Sequence, residues 1–434
     1  MRRPICFKIS LLTAAVLAVG LTSAQGANTA GTLDETFGNG GTVAATLVPV
    51  ANDSSDAVPE AIRFQSNGDI LVLVDVTITG ANASATTQVL RYTPAGVLDT
   101  TFGDKGIAVL PNSFTGSAMA IDASNRVLIA GDMVSTSDLA AARLTANGIL
   151  DTTFGSDGIA ATSQSCCDAA GALVIEPAAV GADANDILFC GGLFPTGRKQ
   201  PSTTLLARWT PSGNLDSTFG SGGVVHVVGP GGCTAEAVLA TGEILDANGT
   251  TAQFEANGTL ESSVNGGTVV ASAATRFLGT TVFQSNGDFV VAQPLFVGEE
   301  SRAHNASTEV LRFTETGAAD SSFTDPSFHF EGSGGYGIEA LPAAVAVAPN
   351  GDIVVIGEQI TYAQSGETLV NGLARLTPGG DLDSTFGSGG VETNTVPSTA
   401  EGFALAAIDS QNRIIAVGIA KSYTQIFLSR YLGE

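Results

Sequence analysis

The sequence predicts an all-β fold, a seven-bladed β-propeller of four-stranded antiparallel blades. Three observations predict it. The motif LDxTFG, or a worn form of it, occurs seven times at intervals of 45 to 65 residues. A hairpin-forming segment follows each copy. The composition suits many short strands and turns: 53 Gly among 434 residues, frequent Val, Ile and Thr, and no long helix-period stretch. A period of this length marks stacked or radial units and sets the architecture before any local reading.

The chain opens with what reads as an export signal. Arg2 and Arg3 precede an apolar run from Ile9 to Val19, and the small residues Thr22, Ser23 and Ala24 follow. The run is too short to span a bilayer comfortably. Cleavage is expected after Ala24 or near Ala27, which makes residues 1–24 a signal peptide and 25–434 a single propeller domain. The mature chain is then expected in the periplasm or outside the cell. No later stretch is apolar enough to cross a membrane. Cys6 leaves with the signal. Cys166, Cys167, Cys190 and Cys233 remain, an even number that permits two disulfides in an exported chain. Cys166/Cys167 and Cys233 occupy comparable loops of neighbouring units, so one bridge is expected between those loops.

Clear copies of the motif start at Leu33, Leu98, Leu150, Leu215 and Leu382, and worn copies at Leu260 and Ala319. The hairpins include QSNGDILVLV from Gln65, DASNRVLIAG from Asp122, LATGEILDA from Leu239 and APNGDIVVIG from Ala348. Asn-Gly between apolar runs signals a tight hairpin, because both residues tolerate positive φ. A unit therefore reads as four strands. In the first, strand a lies near Gly41–Thr46, b near Ala57–Gln65, c near Asp69–Val76 and d near Thr86–Tyr92. Strand a, which follows the motif, is expected on the inside of the ring.

The stretch RYTPAGVLDTTFG, Arg91–Gly103, is the joint between units. Its Pro and Gly reverse the chain, its Asp and Thr side chains can bond nearby N–H groups, and Phe102 would plug between blades. Arg91 precedes Asp99 by eight residues and could pair with it across the turn. The same spacing joins Arg143 to Asp151, Arg208 to Asp216, Arg312 to Asp320 and Arg375 to Asp383. The fourth unit loses both partners, with Gln253 and Glu261 in their places. The first motif has no strand d before it, and the last strand d, ending at Arg430, has no motif after it. If the ring closes, Arg430 pairs near Asp34.

With these two markers in order, the chain resembles the delta-60 repeat proteins, whose unit has the form LDxTFGxxGxV … QxDGKIxVxG … RYxxdGxLD. The resemblance covers about Gly31 to Leu432. It implies a bacterial, usually exported β-propeller and leaves activity unassigned.

Charge excludes some functions. Lys and Arg number 18 against 42 Asp and Glu, and loss of residues 1–24 removes three basic residues, leaving 15 against 42. Such a chain has little with which to neutralise nucleic-acid phosphate or anionic lipid. Catalytic residues are scarce. Of the three His, His226 and His329 are expected on inner strands and His304 in a loop. There is no GxSxG elbow, HExxH motif or Walker loop. Glu299–Glu300 and Asp53–Asp56 read as solvated loop charges. No catalytic, cofactor-binding or metal residue is assigned.

The b–c hairpins and d–a joints share one face of the disc and are short. The a–b and c–d connections share the other and vary, the long ones being Leu47–Asp56, Leu193–Thr204, Leu295–Ser307, Gly332–Leu341 and Glu358–Thr368. An unidentified protein or glycan partner is expected there. The favoured reading is a monomeric, exported binding scaffold without chemistry of its own. The alternative is an exported hydrolase or lyase acting on a glycan or lactone through carboxylates at the channel mouth.

Overall fold

The computed structural model describes residues 29–45, 47, 55–78, 84–165, 168–193, 203–228, 235–247, 251–261, 268–269, 280–296, 305–330, 337–363, 366–393, 400–420 and 425–434. The expected signal peptide, Cys166, Cys167, Cys233, His304 and Glu299–Glu300 lie outside them. No helix among the described residues is long and apolar enough to cross a membrane.

The described residues are all-β with one short 3-10 segment, Ala178–Asp183. The first sheet holds β2 (Ser55–Phe64), β3 (Ile70–Ile78), β4 (Ser84–Tyr92) and β5 (Ile107–Val109), in that order. The second holds β6 (Phe114–Ile121), β7 (Val127–Met133), β8 (Asp138–Leu144) and β9 (Ile159–Ser165). The third holds β10 (Asp168–Ile175), β11 (Ile187–Leu193), β12 (Thr203–Trp209) and β13 (Val224–Val228), and the fourth β14 (Ala235–Val238), β15 (Ile244–Ala247), β16 (Thr251–Phe254) and β17 (Thr268–Val269).

An eight-stranded sheet follows. It contains β18 (Thr280–Phe283), β19 (Phe289–Phe296), β20 (Asn305–Phe313) and β21 (Ser327–Phe328), then β22 (Gly337–Val347), β23 (Ile353–Ala363), β24 (Gly366–Leu376) and β25 (Val391–Thr393). A short parallel contact, Asn305–Ala306 with Ile338–Glu339, joins its two halves. The last sheet brings the ends of the chain together: β26 (Ala400–Ile408), β27 (Ile414–Ala420), β28 (Ile426–Tyr431) and then β1 (Thr42–Ala44). Within each four-stranded group the pairing is antiparallel.

Central strands lack the alternation of a half-exposed sheet. Ile70 to Val74 are all buried, because neighbouring sheets cover both faces, and such a strand reads as a continuous apolar run. The core is accordingly a series of layers between sheets. One layer joins Ile62, Val72 and Leu90 to Val417 and Leu428, and another joins Leu71 and Phe102 to Met119 and Ile129. The first strands also pack on one another in sequence: β2 on β6, β6 on β10, β10 on β14, β14 on β18, β18 on β22, β22 on β26, and β26 back on β2.

The expected phase of the unit needs correction. The strand after the LDxTFG joint is the outer strand, paired with strand d of its own sheet, as β5 is with β4. Strand b is innermost. Two of the expected long loops also differ. Glu358–Thr368 is mostly a long hairpin, in which Glu358 pairs with Asn371 and Ala363 with Gly366. Gly332–Leu341 runs from Gly337 as part of β22. The hairpins and joints do share one face: the Gln65 amide donates to the carbonyls of Asn125 and Ala146, in the next hairpin and the next joint.

Candidate functional site: joints and the cavity between the inner strands

At the joints the structure brings each Arg to its Asp. Arg91 Nε donates to Asp99 Oδ2 at 3.0 Å, Arg143 to Asp151 at 2.8 Å, Arg208 to Asp216 at 2.7 Å, Arg312 to Asp320 at 2.7 Å and Arg375 to Asp383 at 2.9 Å. Arg430 makes the same bond to Asp34 at 2.9 Å, across 396 positions of sequence. Each guanidinium also reaches a backbone carbonyl: Ala146 from Arg91, Pro211 from Arg143, Ala256 from Arg208, Pro378 from Arg312, Gly433 from Arg375 and Pro94 from Arg430. Each lies 4.6 to 4.8 Å from the centre of a Phe ring, such as Phe102 beneath Arg91.

The joint carboxylates also accept bonds from the Thr or Ser two residues on, as Asp99 does from Thr101 N–H and Oγ1. At Asp99 and Asp320 these bonds hold the acid below its usual range. At Asp34, Asp151, Asp216 and Asp383 burial pulls upward, but the Thr bonds and the guanidinium outweigh it. These groups have their bonding capacity filled and face a neighbouring unit, which suits a fastener and not a reaction. The fourth unit keeps the backbone of the joint without its Arg. Glu261 N still bonds Gln253 O at 2.8 Å, but the buried Gln253 Oε1 has no hydrogen-bond partner.

Cys190, fully buried on β11, is disulfide-bonded. His226 and His329 are not on inner strands. His226 is exposed on β13, and His329 is exposed immediately after β21.

The third unit gathers acids around Arg208. Glu176, Asp183, Asp186 and Asp216 all lie within 4.0 Å of its guanidinium. Burial lifts Glu176 to about 7 and Asp186 to about 6 against the pull of that charge. Asp183, Asp186 and Asp216 could group about a metal ion, yet Arg208 already supplies the positive charge among them.

Sequence reasoning missed the cavity between the first strands of five units. It measures about 520 Å³ and is walled by β2, β6, β10, β14 and β18. Most of the lining is small or apolar, with three charged exceptions: Glu60, Arg63 and Glu236. Glu60 owes its place to a bulge. The β2–β3 register slips between Pro59 and Ala61, and corresponding slips fall at Ser117 on β6 and Gly171 on β10. A bulge re-aims one side chain, and all three of these residues line the cavity. Arg63 is exposed there and donates to the Ile62 carbonyl at 2.8 Å. It has no carboxylate within ion-pairing distance among the described residues.

Burial, helped by the charge of Asp75, raises Glu60 to about 7. Asp75 is itself raised by burial, against a hydrogen bond from Thr87. Glu236 is raised well above the ordinary carboxylate range by burial and then by Asp246 and Glu176. Burial lifts Asp246, directly opposite on β15, to about 8. Carboxyl groups that hold a proton near neutral pH can donate a hydrogen bond or act as general acids.

A β-propeller family model, described as a domain of unknown function (DUF5122), matches residues 65–102, 123–154 and 348–386. No curated protein matches. Among solved structures, a protein of unknown function from Dyadobacter fermentans aligns at 9% identity and TM-score 0.37, over 90% of this chain and 98% of its own. The polysaccharide lyase Uly1 aligns at 10% identity and TM-score 0.34, over 95% and 94%. An α-L-arabinanase from Penicillium chrysogenum aligns at 10% and 0.34, over 85% and 91%. The three matched segments each span a hairpin, a strand d and a joint, or part of that series, and with the four-stranded sheets they support a β-propeller repeat protein.

Proposed function

We propose that this chain is an exported, seven-bladed propeller of the delta-60 type that binds a small anionic ligand in its axial cavity. Seven blades are supported by the cycle of first-strand contacts and by the seven four-stranded groups, two of them fused by one short parallel bridge. Export rests on the composition of residues 1–24.

The observation that carries the ligand is Arg63. In a chain with 42 acids and 18 bases, a free guanidinium is readily captured by a carboxylate. Arg63 stands at the cavity wall uncaptured, and a planar guanidinium matches a carboxylate in two parallel bonds. Glu60, raised to about 7 by burial, can donate a further bond to the same ligand when it holds its proton. A small organic or sugar acid fits both groups. Calorimetric titration of the mature protein with uronic, aldonic and simple hydroxy acids tests this, with Arg63→Ala as the comparison. Binding that Arg63→Ala weakens by roughly tenfold or more, about 1.4 kcal/mol, is the expected result. Binding unchanged by Arg63→Ala would move the site to the a–b/c–d loops, where a protein or glycan partner is the alternative.

A second reading, hydrolysis or elimination on a glycan or lactone, is favoured by Glu60 and Glu236, two carboxyl groups on one cavity wall, with Glu60 raised to about 7 by burial. Turnover lost in both Glu60→Gln and Glu236→Gln would support it.

A further inference from the structure

We infer that Glu236 and Asp246 form a divalent-cation site in the wall of the cavity. Glu236 pairs directly with Asp246 across β14 and β15. At the same place, three residues before the hairpin opens, the other units pair Ile62 with Val72, Met119 with Ile129, Leu173 with Phe189, Thr281 with Val291, Val345 with Val355, and Ala406 with Ala416. Five of those six pairs are wholly apolar, the exception being Thr281, and this is a packing position between blades. One unit alone sets two acids there, and nothing in the fold requires them.

Three of the four carboxylate oxygens of these acids also lack a hydrogen-bond partner. Glu236 is 9% exposed and Asp246 5%. Both carboxylate oxygens of Glu236, and Oδ1 of Asp246, are buried without a hydrogen bond. Buried carboxylates without donors are costly and are ordinarily paired or coordinated to a metal. Among the described residues no Lys or Arg pairs with either acid, and the next strand sets Ala252 opposite Asp246. Glu236 also lines the cavity, so water or ligand oxygen can complete a shell. Carboxylate oxygens with water are the ligand set of a hard cation such as Ca²⁺ or Mg²⁺. The site stands whether or not an anion occupies Arg63.

The test is titration of chelator-treated mature protein with Ca²⁺, Mg²⁺ and Mn²⁺, followed by calorimetry and by thermal melting. The expected result is binding that Glu236→Gln weakens by roughly tenfold or more and that raises Tm. The double variant Glu236→Ile/Asp246→Val copies the first unit. It is expected to fold, to melt no lower than the metal-free parent, and to give no cation-induced shift. Asp183→Asn, in the cluster around Arg208, is expected to keep the binding. The inference is overturned if no cation binds at millimolar concentration, if the apolar double variant binds like the parent, or if Asp183→Asn abolishes binding.

Discussion

At six joints one guanidinium closes a carboxylate, a hydroxyl, a carbonyl of a neighbouring joint and the face of a Phe ring. The Arg143 and Asp151 side chains are 3% and 12% exposed. Removing one partner of such a buried pair strands the other, which typically costs about 3–5 kcal/mol, whereas replacing both with apolar groups costs far less. Asp151→Ala is therefore expected to lower stability by about 3 kcal/mol at neutral pH, and Arg143→Met/Asp151→Val by much less; denaturant melts of the four proteins measure both. The sign with pH follows from the lowered acid. Its contribution is full above the unfolded carboxylate value of about 4 and is lost as pH falls through the lower folded value, so the Asp151→Ala penalty should shrink toward zero in acid. The spacing of eight residues made these pairs legible in sequence, because a fixed turn holds both partners. Glu236 and Asp246 were not legible that way. They meet only through strand register, and the signal lay in aligning the fourth unit with six others at its hairpin.

The strand and the turn carry the repeat, and here the sequence was readable in kind but not in phase. Hairpins and joints follow from local chemistry. Which strand lies innermost does not, since strands on both sides of a joint are short and apolar. The pairing decides it: the strand after a joint adds to the outer edge of the sheet beside strand d, as the three-residue Ile107–Val109 and the seven-residue Ile159–Ser165 both do. The turn glycine is then fixed by the neighbouring joint. Gly213 has φ +84°, and a Cβ there would sit 2.5 Å from Gly155 N and 3.0 Å from the Phe154 ring. Gly222 has φ +66° with nothing within 4 Å. Gly222→Ala should cost only the left-handed backbone penalty, about 1 kcal/mol. Gly213→Ala should cost clearly more, because it also forces two joints apart. Equal melting points for the two variants would mean that the joints do not bear on each other through this glycine.

For the whole molecule the decisive joint is the one made from both chain ends. Gly31 N bonds Leu432 O, Asp34 N bonds Arg430 O, and Gly387 N bonds Ala30 O, while Gly433 O receives Arg375. Together Leu432, Gly433, Ala30 and Gly31 do what the continuous run Thr93–Gly96 does elsewhere. Strand β1 then pairs Thr42 with Ser429 and Val43 with Leu428. Removal of everything before Ala45 should therefore leave Arg430 without Asp34, strip Phe37 from its layer and bare the edge of β28. An unpaired edge invites pairing with another chain. The truncated protein is expected to melt lower than residues 25–434 and to self-associate, which melting and light scattering would show. A synthetic peptide of residues 29–45 supplies the joint and the strand in trans, and it should restore both properties while a scrambled peptide should not. If the truncated protein melted like residues 25–434 and did not self-associate more than they do, the ends would be neighbours without being the clasp, and the contacts between successive first strands would have to hold the sheets together by packing alone.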